Sequence, residues 1–210
     1  LPKINDKVKT IILVKEILKV VEKLNLGYAI FHESLNIAQE VLEKKFSKKF
    51  SVKIFAVSIL YATCKIKGHP IIFKEIASIL DLNKKEQRKA MEIYNTLIRK
   101  IKITSKPSLK DYIERLTESL KLNDKVKNQA LKYIEEFGQE RVLAGKSPVS
   151  LAAAAVYLAA KKNKIPITQK DVASKTYISE VTLRKHFKEL KTVISEREKR
   201  HEVKVLKVTS

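Results

Sequence analysis

The stretch Ser147-Pro148-Val149-Ser150-Leu151-Ala152-Ala153-Ala154-Ala155-Val156-Tyr157-Leu158-Ala159-Ala160 decides the fold. A serine ahead of a proline at the first helical position marks a helix start, with the hydroxyl expected to cap it. Leu151 to Ala160 is the longest apolar run in the chain and is flanked by lysine. It falls short of a membrane span, which takes about 18 residues or more.

Sliding the chain along itself by 96 positions lays Tyr61 on Tyr157, Pro70 on Pro166, Ile71 on Ile167 and Lys74 on Lys170. Ala77 meets Ala173, Ser78 meets Ser174, and Arg88-Lys89 meets Arg184-Lys185. Leu24, Leu35, Ser51 and Ala56 meet Leu120, Leu131, Ser147 and Ala152. One register, without a gap, aligns a tyrosine, a proline and an Arg-Lys pair. The chain therefore reads as a duplicated domain. A unit this long stands on its own and is not a solenoid repeat.

The periodicity inside each copy is helical. Ile11, Val14, Ile17, Leu18, Val21 and Leu24 recur at spacings of three and four, as do Ile30, Leu35, Ala38, Val41 and Leu42. Phe55, Ile59, Leu60 and Ala62 lie in a nearly all-apolar helix, which belongs at the centre of its unit. Asn83 with Glu86, and Thr168 with Asp171, have the spacing of capping boxes. Five helices are expected in each copy: 6–24, 28–45, 52–67, 72–81 and 84–101, then 108–120, 124–141, 148–162, 169–176 and 180–193. The polar segment Thr104-Ser105-Lys106-Pro107-Ser108 is the expected linker. The fold class is all-α, with domains at 1–104 and 105–195. Residues 196–210, where Val203, Val205 and Val208 give the one trace of alternation, are expected as a charged tail.

Composition narrows the function. The 210 residues carry 44 Lys+Arg against 23 Asp+Glu, a net charge of +21. That excess favours a polyanionic partner, nucleic acid first. A solvated lysine-rich surface of the heat-adapted kind is the alternative. At 44% hydrophobic residues the chain can bury a core. A single cysteine excludes an internal disulfide or a multi-cysteine zinc site. Cys64 falls in an apolar helix and reads as core. His32, His69, His186 and His201 show no ligand spacing, so no metal and no cofactor is expected. No phosphate-cradling glycine loop, nucleophile elbow or carboxylate pair is visible, and the chain is not read as an enzyme. The pairs Lys44-Lys45, Lys48-Lys49 and Lys161-Lys162 read as solvated faces. The first residues do not form a signal peptide, and the absence of a starting Met is expected of a piece of a longer chain.

The chemistry concentrates in the last two helices. Thr168 to Lys175, a turn at Thr176-Tyr177-Ile178, and Ser179 to Phe187 outline a helix-turn-helix. In such a unit the start of the second helix faces base edges. Here that start offers Glu180, Val181, Thr182, Arg184 and Lys185. Arginine suits a bidentate contact to guanine and valine suits a thymine methyl. Lys170 and the Thr168 hydroxyl are placed to hold phosphates. Arg88 and Lys89 stand at the matching place in the first copy.

At this point the sequence resembles a family. Gly145 to Ala159 looks like the signature of the second cyclin-like repeat of archaeal transcription factor B and eukaryotic transcription factor IIB. Thr168-Gln169-Lys170 and Val181-Thr182-Leu183-Arg184 fit the segments that follow it, and Tyr61 to Lys65 and Phe73 to Ile76 are similar to first-repeat counterparts. The resemblance implies two tandem cyclin-like domains that clamp a TATA-binding protein on bent promoter DNA. It implies that Val181 and Arg184 read the B recognition element upstream of TATA. Lys146, Ser147, Thr168, Gln169, Lys170, Thr182, Lys185, Arg88 and Lys89 are the expected backbone or flanking contacts. RNA polymerase is the further partner, the chain on its own is a monomer, and no membrane is involved. The compartment would be the cytoplasm, on the nucleoid, in an archaeon, or the nucleus in a eukaryote. The family's zinc ribbon and reader segment have no counterpart here, and Lys49-Phe50-Ser51 stands where its first repeat often has Gly-Arg-Ser. The rival reading is a cyclin-type regulator of a kinase, against which the basic charge and the Val-Thr-Leu-Arg segment both argue.

Overall fold

A computed structural model describes residues 6–43, 51–100, 107–137 and 145–208. They form α1 (Asp6–Lys23), α2 (Tyr28–Glu43), α3 (Val52–Ile66), α4 (Phe73–Ile79), α5 (Lys84–Lys100), α6 (Leu109–Ser119), α7 (Asp124–Phe137), α8 (Pro148–Lys162), α9 (Gln169–Thr176) and α10 (Glu180–Val208). No strand occurs among the described residues. The chain divides into two units, Leu1–Pro107 and Ser108–Ser210, each with five helices among the described residues.

In the first unit α3 touches α1, α2, α4 and α5. Its residues Ile54 to Leu60 and Ala62 to Cys64 are buried. In the second unit α8 touches α6, α7, α9 and α10, and every residue from Ser150 to Ala160 is buried. A helix apolar on all sides has no solvent face, so the others pack around it. The alanines of α8 let neighbouring helices approach closely. Around these axes sit the largest fully buried side chains, among them Ile17, Leu60, Ile71, Ile76, Leu183 and Leu190. Burying each contributes roughly 1.5–3 kcal/mol. Cys64 is buried as expected.

The duplication is visible in the backbone. Left-handed residues pair at the same offset: Asn25 with Lys121, Gly68 with Lys164, Asp81 with Tyr177. Each ends or follows a helix, where a left-handed residue reverses the chain. Asn83 caps α5 through bonds from the Lys85 and Glu86 amides, and Glu86 answers to the Asn83 amide. Thr168 and Asp171 form a complete capping box on α9. Ser108 and Asp111 form another on α6, a spacing present in the sequence but not singled out. Lys65 and Lys161, also paired, lie 5.1 and 5.5 Å from the ring centres of Tyr61 and Tyr157.

Three expectations differ from the structure. Ser147 is the N-cap residue of α8 with proline after it, but its hydroxyl accepts no capping bond. Helix α4 is shorter than 72–81, because Leu80 leaves helical geometry and Asp81 turns left-handed. Helix α10 does not stop near residue 193. It continues to Val208, so most of the segment read as a tail is helix. No glycine or proline occurs between Glu180 and Val208, and the segment is rich in Glu, Lys and Arg, which favour helix. Lys44-Lys45, Lys48-Lys49, Phe50 and the linker residues Thr104 to Lys106 lie outside the described residues.

Candidate nucleic-acid interface

The turn between α9 and α10 is built by three local devices. The capping box at Thr168 starts α9, with the Asp171 amide 3.1 Å from the Thr168 hydroxyl oxygen and the Thr168 amide 2.8 Å from the Asp171 carboxylate. Hydrogen bonds from the Thr168 hydroxyl and amide hold the Asp171 carboxyl below its ordinary range. Tyr177 then takes the left-handed conformation and reverses the chain. Ser179 restarts it, accepting from the Thr182 amide at 3.1 Å and sharing a 2.8 Å bond with the Thr182 hydroxyl.

Packing decides which way α10 faces. Leu183 and Leu190 are fully buried, and Phe187 meets the Tyr157 ring edge-on at 5.1 Å. With that stripe inward, Val181, Arg184, Lys185 and Lys188 face solvent. Val181 is 73% exposed, a large apolar side chain in water on an otherwise polar turn. Val172, Ala173 and Thr176 of α9 are buried, while Lys170 and Lys175 are exposed. Arg184 Nε donates to Gln169 Oε1 at 3.3 Å, joining the two helices across the turn.

The expected contact residues fall into two groups. Ser147, Lys170, Val181, Arg184 and Lys185 are exposed. Thr168 and Thr182 are occupied in capping, and Lys146 is turned inward. Its ammonium lies 2.9 Å from Glu189 Oε2, which also takes a 3.0 Å bond from His186 Nδ1. Burial alone would raise the Glu189 carboxyl, but the bonds from Lys146 and His186 outweigh it and hold the carboxyl below its ordinary 4.5. This cluster ties the start of α8 to α10. The sequence reading missed it, because Lys146 and Glu189 are far apart in the chain and only the three-residue step from His186 to Glu189 was there to be noticed.

The first unit shows a related surface. Arg88, Lys84 and Lys85 are exposed near the start of α5, and Lys89 is half-buried. Gln87, which occupies the register of Leu183, donates to the Leu82 carbonyl at 2.8 Å. Among the described residues no group of three or more His, Cys, Asp or Glu is placed to hold a metal ion. None of the described helices is long and apolar enough to cross a membrane.

The molecule is thus a tandem pair of all-helical units of cyclin-like plan, the second ending in a helix-turn-helix with a cationic, partly apolar first turn. The chain belongs to the transcription factor TFIIB repeat family, whose model matches residues 8–98 and 104–193. It is 30% identical over 185 residues to transcription initiation factor IIB of Ignicoccus hospitalis, covering 88% of this chain and 58% of that protein. The protein of the same name from Pyrodictium occultum is 32% identical over 178 residues, 84% of this chain and 56% of its own length. That of Pyrobaculum neutrophilum is 33% identical over 161 residues, 75% and 47%. All three sources are archaea. The chain spans about half the length of these relatives.

Proposed function

We propose that this chain is the core of a general transcription initiation factor. It binds a TATA-binding protein seated on promoter DNA, reads the B recognition element upstream of TATA, and helps recruit RNA polymerase. The observation that carries the proposal is the exposure of Val181 and Arg184 on the first turn of a capped second helix, within a repeat that matches the family. Arg184 then addresses a guanine through its Nη groups and Val181 packs on a thymine methyl. Lys170, Lys185 and the Ser147 hydroxyl position the helix through phosphates. Lys146 holds the frame through Glu189, and Thr168 and Thr182 hold it through their capping bonds. The first repeat, about 1–104, supplies sequence-independent contacts through Arg88 and Lys89, and the second, about 105–195, supplies the reading helix.

A gel-shift titration tests this. With a TATA-binding protein on a TATA duplex, the chain produces a further shift, and scrambling the bases upstream of TATA weakens it. A cyclin-type regulator would leave the complex unshifted. Lys170→Ala weakens binding to every sequence and flattens its salt dependence.

A further inference from the structure

We propose that Gln169 is a positioning residue for base reading, holding the Arg184 guanidinium in the plane that a guanine edge requires. The proposal rests on α10 reading duplex DNA. Gln169 is the first residue of α9, and the capping box at Thr168 and Asp171 locks the backbone on either side of it. Its side chain is half-buried, and Arg184 Nε donates to its Oε1 at 3.3 Å. Arginine has donors only, so the partner must be the amide oxygen. Engaging Nε leaves both Nη groups free, and those are the parallel donors that match guanine O6 and N7.

An exposed arginine samples many rotamers and loses that freedom on binding. A bond from the neighbouring helix removes part of the loss before DNA arrives. It also couples the reader to α9, whose Lys170 sits one residue beyond Gln169. The first repeat has no such arrangement. Phe73 stands at the register of Gln169 and is buried, its ring edge-on to Tyr61 at 5.3 Å. Arg88 therefore has an aromatic core residue where Arg184 has an amide acceptor.

The experiment is selection from duplexes with randomised bases upstream of a TATA element, using the full chain bound with a TATA-binding protein. Gln169→Ala, Gln169→Glu and Arg184→Ala are compared with the parent, and thermal melts check that each folds. Arg184→Ala abolishes guanine enrichment. Gln169→Ala lowers it about 3- to 10-fold, a larger loss than it causes on unrelated sequence, and leaves the salt slope unchanged because no charge is removed. Gln169→Glu keeps the acceptor and so keeps the enrichment, with all sequences bound more weakly because a negative charge now faces phosphate. Full enrichment with Gln169→Ala, where Arg184→Ala has lost it, overturns the positioning role. So does a uniform loss across sequences with Gln169→Ala, which would make Gln169 a phosphate contact. If Arg184→Ala selects guanine as the parent does, base reading itself fails and this inference falls with it.

Discussion

Three buried hydroxyls in the first repeat become three alanines in the second. Ser34, Ser58 and Thr63 correspond in register to Ala130, Ala154 and Ala159, and all six are buried. In the first core the Ser34 hydroxyl bonds to Thr63 at 3.1 Å, and Ser58 reaches the Ala90 carbonyl on α5 at 2.9 Å. The second core is tied differently. Its polar cluster of Lys146, Glu189 and His186 lies at positions where the first repeat has Phe50, Ile93 and Ala90. Polar groups that cross-link helices inside one copy have their counterpart between the start of α8 and α10 in the other. Meanwhile the left-handed turns pair across the two copies, as do the caps Asn83 and Ser179, whereas Thr168 caps α9 where Ile72 makes no side-chain cap on α4. The backbone plan accommodates either placement. The copies differ as well in the surface their last helices present: Lys85 and Arg88 in one, Val181 and Arg184 in the other.

Leu183 and Gln87 share a register and should differ most. Leu183→Ala leaves a cavity under α10 and costs about 2–4 kcal/mol in urea unfolding. Gln87→Ala loses one bond to a backbone carbonyl, about 1 kcal/mol. Equal costs would mean that the two helix pairs are held in the same way. On DNA, Arg184→Ala should lose roughly 1–3 kcal/mol of discrimination between upstream sequences. Arg88→Ala should instead weaken all sequences alike and reduce the salt slope by about one unit. A changed base preference in the Arg88 variant would erase the distinction between reader and clamp.

The turns should respond alike, since both start their second helix with a capping side chain. Ser179→Ala and Asn83→Ala each remove a cap and should cost about 1 kcal/mol. A difference between them in thermal unfolding would show that the turns only look alike. The smallest effect is expected at the charged cluster, which solvent partly screens. Glu189→Gln should cost about 0.5–1 kcal/mol at neutral pH. Because Glu189 is held below 4.5 in the folded state, its contribution is full above that value and disappears as pH falls through the lowered one. The variant and the parent should therefore converge in stability in acid. A gap that persists there would assign the effect to packing.

Much of this was legible along the chain. The 96-residue offset, the apolar helices at Phe55 and Tyr157, and the Asn83 and Thr168 boxes are local patterns or direct identities. They follow from periodicity and from the geometry of helix ends. The outward placement of Val181 was legible only from the helix-turn-helix outline, because by apolar spacing Val181 runs in one stripe with Leu183, Phe187 and Leu190; the structure leaves it 73% exposed. Less legible was the end of α10, where nothing breaks the helix and the valines near residue 205 imitate a strand.

By itself, the sequence determined two helical units, their central helices, and which turn of which helix carries the exposed valine and arginine. These depend on spacings of three or four residues and on repetition. Tertiary structure alone decided that Lys146 turns inward to Glu189, that the Ser147 hydroxyl caps nothing, and that Gln169 braces Arg184. The first and last are contacts between side chains that helix packing brings within about 3 Å across many intervening residues. Short-range pattern holds no record of such distances, because they are set by how the helices close around α8.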